Sequence, residues 1–386
     1  MEYTKLKYIN QYKSKSINPT KSPDTIFEMY SVPIYETGHP EYVRGDQIAS
    51  NKLIVEKNDI LLCKINPRIN RVWIVSDESD KINIASSEWI VIRNKDINPE
   101  FLAWYFRSPK FKKLMISQVT GIGGSLTRAQ PKCVSEYPVP VLIRDKQEKI
   151  VSILNKCKYI IDLKKNELLM LDELLQARFV EMFGDENNSK KWDVVFVEEV
   201  ANVQVGVVIK PAQYYTDAGN GVRAFRSLNI GEGFVKDSDW VYFTEEGHKK
   251  NARSILEEND LLVVRSGTPG TSCVVTKEYV GCNAIDIIIA RPDCEKVNPF
   301  YLCSFTNMPH GKRQISEGIG GAAQQHFNVS KYNQLKLMLP PKKLQDEFAD
   351  FVRQTDKSKL ALRSLHTFLT LYELHILSNN LTFEKF

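Results

Sequence analysis

Long apolar runs are missing from this 386-residue chain: none approaches the roughly 20 residues of a membrane span. The first ten residues, Met1 to Asn10, are charged and lack the apolar core of a signal peptide. A cytoplasmic protein without membrane contact is therefore expected. Paired cysteines are missing too. The seven present (63, 133, 157, 273, 282, 294 and 303) are odd in number, form no CxxC and sit mostly among apolar neighbours, which reads as reduced core thiols. His39, His248, His310, His326, His366 and His375 show no metal-ligand spacing.

Catalytic signatures are equally scarce. There is no GxxxxGK[ST] phosphate loop, so the chain is not expected to hydrolyse ATP. Asn66-Pro67-Arg68, Asn98-Pro99-Glu100 and Asn298-Pro299-Phe300 each lack the second proline of the Asn-Pro-Pro-aromatic motif of amino-methyltransferases. Gly231-Glu232-Gly233 does not complete GxGxxG after a strand. In Pro292-Asp293-Cys294-Glu295-Lys296 the acids are too close together to share a nuclease metal from two strands. A non-catalytic chain with no metal and no cofactor of its own is expected. A strong excess of one charge is absent as well: 52 Lys+Arg oppose 47 Asp+Glu. Residues 1–140 carry 20 against 15, and only this segment is clearly basic, which favours a nucleic-acid partner weakly.

Proline and glycine vanish from Arg144 to Phe183, and Gly184 follows. The stretch predicts one helix of about 60 Å at 1.5 Å per residue. Alternating steps of four and three give Ile150, Leu154, Cys157, Ile161, Lys164, Leu168, Leu171, Leu175, Arg178 and Met182, a coiled-coil stripe. The end of the chain offers a second: Leu344, Phe348, Phe351, Thr355, Ser358, Leu362, Leu365, Leu369, Tyr372 and Ile376. A helix cannot bury a stripe on itself, so the two are expected to pair antiparallel.

The chain also repeats itself with a period near 200. Glu56 to Lys64 returns as Glu257 to Arg265, Asn98-Pro99 as Asn298-Pro299, Gly121-Ile122-Gly123-Gly124 as Gly318-Ile319-Gly320-Gly321, and Gln147-Glu148 as Gln345-Asp346. Each unit thus reads as a globular domain followed by a long helix. Ile60 to Lys64 and Leu261 to Arg265 read as buried strands with a basic end, continued by Trp73-Ile74-Val75 and Trp89 to Ile92, or by Cys273-Val274-Val275 and Ile285 to Ala290. Asn98-Pro99 and Asn298-Pro299 read as cap and first residue of helices, and Pro109 to Gln118 as a further helix. Pro138-Val139-Pro140 and Leu339-Pro340-Pro341 read as strand stops before the long helices.

What remains for function is polar loops at matched places. In the first unit these are Lys64, Asn66, Arg68, Asn70 and Arg71, with Ser125, Thr127 and Arg128 in the glycine loop; in the second, Arg265, Ser266 and Thr268, with Gln324, Gln325 and His326. Arg and Lys suit guanine edges and phosphates, and Asn and Gln suit adenine edges. An enzyme such as a fused nuclease-methylase, or a coiled-coil scaffold whose loops bind protein, are the rival classes. A methyltransferase assay on the lone chain and competition by nonspecific DNA separate them.

Over essentially its whole length the chain resembles the specificity subunits of type I restriction-modification systems. The first unit is similar in Val32-Pro33-Ile34-Tyr35, in Gly45 to Lys52 and above all in Cys63 to Trp73; the second in Arg265-Ser266-Gly267-Thr268-Pro269-Gly270 and in Leu339-Pro340-Pro341 with Leu344-Gln345. Val139-Pro140 departs from that entry, being followed by Val141-Leu142-Ile143 before Gln147. The resemblance implies an α+β protein with two α/β target-recognition domains, 1–140 and 186–341, related by a pseudo-twofold and joined by antiparallel helices at 141–185 and 342–386 that act as spacer. It further implies a bipartite double-stranded DNA site with an unread spacer and adenine methylation or restriction by partner chains. Those partners are two methyltransferase (modification) subunits and a restriction/translocase subunit, which would bind S-adenosylmethionine, ATP and Mg. A specificity subunit of another bipartite-site restriction class remains the alternative.

Overall fold

Four apolar residues in a row, Ile60 to Cys63, have side chains that must leave a strand on alternate faces. A computed structural model, which describes residues 2–120, 127–319 and 327–378, shows both faces covered. Ile60 and Leu62 enter one core with Val72, Ile92, Phe101 and Phe106, while Leu61 and Cys63 enter another with Tyr30, Trp73 and Trp89. The repeat does the same: Leu261 and Val263 pack with Tyr301 and Phe305, and Leu262 and Val264 with Phe225 and Ile289. The protein is α+β.

The chain divides into two compact units, residues 1–166 with the segment from Arg363 onward, and Glu167–Leu362. In the first, Ile60–Cys63 lies between Val72–Ile74 and Trp89–Ile92, all antiparallel. A five-stranded sheet runs Ser16–Ile17, Lys52–Ile54, Ile82–Ala85, Ile26–Tyr30, Glu41–Arg44, with Ile26–Tyr30 parallel to Ile82–Ala85. In the second unit Leu261–Val264 lies between Ser272–Val274 and Ile287–Pro292, and Ala201–Val205 extends that sheet. The strand expected from Ile285 starts two residues later. Asp286 has φ +50, a left-handed turn that carries the chain out of a separate sheet containing Asn283–Ala284.

The turn before each central strand is duplicated in detail. Asn58 and Asn259 adopt left-handed φ of 70° and 73°, which asparagine tolerates better than most residues. Asp59 and Asp260, 1% and 0% exposed, accept from the amides of Glu56 and Glu257 at 2.9 and 2.8 Å. Arg93 grips Asp59 through two bonds of 2.7 and 2.6 Å, and Arg291 grips Asp260 at 2.8 and 3.0 Å. These carboxylates hold the pair in position; removing either arginine strands a buried charge.

Asn98 and Asn298 cap helices Pro99–Arg107 and Pro299–Asn307, their side chains accepting from Glu100 and Phe300 amides. Each cap residue is tied to the long helix that follows its unit. Gln147 accepts from the Asn98 amide and donates to the Leu142 carbonyl, while Gln345 accepts from the Asn298 amide and donates to the Pro340 carbonyl, at 2.7 to 2.8 Å. The Pro138–Val141 segment is itself a strand, contrary to the expectation of a stop. Among the described residues it pairs only with Glu2–Lys5, so the missing proline amides face no partner strand there. Val194–Phe196 pairs with Lys336–Met338 in the same way.

The central helix spans Arg144–Phe183 and the C-terminal helix Lys342–Ser378, and each unit owns one half of both. Gly184, at φ 88°, donates to the Val180 carbonyl and closes the first. In the first unit Ile150 and Leu154 meet Ile376 and Leu377, and Ile161 is buried. In the second, Phe179 and Phe183 meet Phe348 and Val352, and Leu175 packs against the same core. Early residues of one helix thus face late residues of the other in each unit, an antiparallel arrangement. Leu168 and Leu171 are half-buried.

The buried line of the C-terminal helix differs from the most apolar one. Phe348, Thr355, Leu362, Leu369 and Ile376 lie inward, but between them come Val352, Lys359, His366 and Glu373; Ser358 and Leu365 are exposed and Tyr372 half-buried. Lys359, 4% exposed, is turned inward by an ion pair to Asp172 of 2.5 Å. Its long aliphatic stem fills a place a leucine could occupy. No helix among the described residues is long and apolar enough to cross a membrane.

Candidate nucleic-acid interface

Where the buried strand of the first unit runs out, its backbone picks up a new partner. The Lys64 amide donates to Glu88 O at 3.0 Å and its carbonyl accepts from the Ala129 amide at 2.8 Å. The Asn66 amide donates to Thr127 O at 2.8 Å, and Ile65 bridges Arg128. The strand-end loop and the segment returning from the glycine loop are therefore one surface. Asn66 and Asn70 take left-handed φ of 47° and 53°, which coils the loop into two tight turns. Asn70 also donates its side-chain amide to the carbonyl of Phe106, pinning the loop to the helix behind it. Arg68 is exposed, with no ion pair or side-chain hydrogen bond among the described residues. Arg128 is held by Glu88 at 3.3 and 3.4 Å, Thr127 is buried, and Ser125 lies outside the described residues.

The second unit repeats the frame with different side chains. Arg265 ends the strand, its carbonyl accepts from the Phe327 amide at 3.0 Å, and its Nε donates back to the Phe327 carbonyl at 3.2 Å. Its guanidinium is also ion-paired with Asp286. Gly267 and Gly270 have φ of 85° and 89°. At Gly270 a Cβ would come within 2.7 Å of Ile315, so the turn needs glycine for space as well as for φ. Ser266 is half-buried and Thr268 exposed on this loop, while Gln324, Gln325 and His326 lie outside the described residues.

Residues that sequence reasoning passed over join both frames. In the second unit the Asp286 amide donates to Val207 O at 3.1 Å, and Val207 bridges Ile285. This sets Val207 beside the residue that pairs with Arg265, and Val208, Ile209 and Lys210 follow it in the chain, with Ile209 79% exposed and Lys210 at φ 45°. Gly206 permits the approach, since a Cβ there would lie 2.2 Å from Ala284 O. The run Val205-Gly206-Val207-Val208-Ile209 looks like buried strand in the sequence, and nothing in it signals exposure. In the first unit Glu88 is the missed member.

Chemically, the first frame offers Lys64, Arg68, Arg71 and Arg128 with two asparagines; the second offers Arg265, hydroxyls and an exposed aliphatic pair. Cations and amides suit phosphate oxygens and base edges, and apolar side chains suit the thymine methyl. The two frames share a backbone arrangement and differ in the side chains they present.

Comparison with known proteins agrees with this duplicated build. Residues 2–172 and 189–366 each match the type I restriction modification DNA specificity domain. Among solved structures, a chain from work on complex assembly and conformational transition of the type I R-M system is 18% identical, with a TM-score of 0.56 over 100% of this chain and 98% of that one. The type I restriction-modification S subunit from M. genitalium is 12% identical, with a TM-score of 0.56 over 98% of this chain and 95% of that one. At such identities the structures attest the fold, and the two matched stretches, which together take in most of the sequence, attest the family: the chain belongs to the type I restriction modification DNA specificity family.

Proposed function

We propose that this chain reads double-stranded DNA for a type I restriction-modification complex, each unit recognising one half of a bipartite site with an unread spacer between. The observation that carries this is the duplicated frame of strand end and returning segment, furnished with Lys64, Arg68, Arg71 and Arg128 in one unit and with Arg265, Thr268 and Ile209 in the other. One backbone frame with two side-chain sets is what two unlike half-sites require. Partner subunits would supply the chemistry, binding S-adenosylmethionine, ATP and Mg and carrying out adenine methylation or cleavage.

The long helices support a docking role for those partners. In the first unit Tyr159, Leu163, Leu365, Phe368, Leu371 and Leu374 are exposed, Phe368 at 63% and Leu371 at 61%. Apolar side chains repeated along a helix pair suit the helices of a modification subunit.

Methyl transfer tests the proposal directly. The purified chain should methylate nothing, and adding its modification subunit should give methylation at one bipartite sequence, read by methylome sequencing. Methylation by the lone chain, or a complex whose DNA binding is erased by nonspecific competitor, would overturn it.

A further inference from the structure

A recess of about 470 Å³ opens in the first unit beside the Lys64 to Arg71 loop. Met29, Val32, Pro33 and Ile65 form apolar wall; Ser31, Glu36, Lys52, Arg71, Ser86 and Glu88 bring polar groups. Most of these are already committed. Lys52 Nζ donates to the carbonyl and the hydroxyl of Ser50 at 3.2 and 2.6 Å, and Glu88 holds Arg128.

Arg71 and Glu36 are less so: the Arg71 side chain bonds the Cys63 thiol, but its Nε is buried and has no hydrogen-bond partner among the described residues. Glu36 is exposed and makes no hydrogen bond or ion pair among them. The backbone at Glu36 is nonetheless held, because it follows Tyr35 in a short turn, Tyr35–Thr37. The Tyr35 ring packs edge-on to Trp73 at 5.7 Å and against Trp89 at 6.1 Å, and its hydroxyl donates to Val72 O at 3.3 Å. Gly38, at φ 76°, closes the turn.

A phosphate would be attracted by Arg71 and repelled by Glu36, so the recess is poorly made for backbone contact. An edge that offers acceptors and a donor side by side satisfies both groups. In the major groove a G·C pair is such an edge, with guanine O6 and N7 as acceptors and cytosine N4 as donor. Resting on the DNA-reading function above, we infer that this recess reads one G·C pair of the half-site recognised by the first unit, with Arg71 on guanine and Glu36 on the cytosine amino group. Glu36 and Arg71 are thereby specificity-determining residues acting on one base pair.

The test uses the whole complex with its modification subunits, carrying Glu36→Ala or Arg71→Ala, and reads the methylated motif together with rates on oligonucleotides substituted at each position. Both variants should relax the same single G·C position, cutting discrimination there by about ten- to a hundredfold, with the other half-site unchanged. Glu36 is exposed, so Glu36→Ala serves if Arg71→Ala fails to fold; thermal melting of each variant separates the cases. A motif unchanged in the folded variants overturns the recess assignment and leaves the DNA-reading function standing. Equal weakening on all sequences marks a phosphate contact, and relaxation at two different positions breaks the single-pair assignment; either overturns it. A wild-type complex with no sequence-specific methylation would instead remove the function on which the inference rests.

Discussion

Arg68 and Arg265 occupy matched loops in opposite circumstances. Arg68 stands in solvent without a bonded partner among the described residues, whereas Arg265, its side chain only 16% exposed, is bonded to Asp286 and the Phe327 carbonyl. Arg68→Ala should leave stability within about 0.5 kcal/mol of wild type and weaken or relax recognition of one half-site by about 1–3 kcal/mol if the contact is bidentate. Arg265→Ala should lower stability by about 1–3 kcal/mol, because it leaves partly buried acceptors unpaired, and should affect only the other half-site. Urea denaturation with methylome sequencing checks both; a first-unit variant that changed both half-sites would refute separate readers. The loops were legible in the sequence because they recur at one spacing. The partners were not: Asp286 enters the site through a left-handed turn inside an apolar run, and Glu88 lies on a neighbouring strand's approach.

At the scale of elements, periodicity marked out both long helices, and the positions from Ile150 to Leu175 on its line are buried or half-buried, yet half of the inner line of the C-terminal helix escaped it. Counting apolar residues chose Leu365, whereas the fold half-buries His366 and Glu373 and buries Lys359, whose ion pair to Asp172 and aliphatic stem make a cation acceptable there. Burial raises the Glu373 carboxyl above its ordinary value of 4.5; Asp162 adds to the rise, and Lys158, Arg107 and Lys165 oppose it. A raised carboxyl binds its proton more tightly in the folded state, so its contribution to stability falls as pH climbs from 4.5 through the raised value. Glu373→Gln should therefore melt higher than wild type at pH 7, with the difference closing toward pH 4; a constant or reversed difference refutes this. The joints make a second case. Gln345→Ala should cost about 1–3 kcal/mol in chemical denaturation, because the Asn298 amide and the Pro340 carbonyl lose their buried partner.

For the whole molecule, the period near 200 announced two copies of one plan, and the plan extends further than the matched words showed. The buried Asp-Arg clasp, the Gln joint and the terminal strand pair all occur twice. What the period could not show is that each copy absorbs half of both long helices, since that depends on which side chains meet in space. If the exposed helix face receives a modification subunit, Phe368→Asp with Leu371→Asp should abolish co-purification of that subunit while leaving the circular dichroism of the lone chain unchanged. Retained co-purification would place the dock elsewhere.

That same face has a consequence for manufacture in the cell. A newly made copy carries Leu365, Phe368, Leu371 and Leu374 bare to water until something covers them, and bare faces of many copies find one another. Soluble yield should accordingly fall as expression of the lone chain rises and recover on co-expression with the covering subunit. The supply of that subunit would then set how many readers the cell keeps, with surplus copies lost to aggregates or proteases.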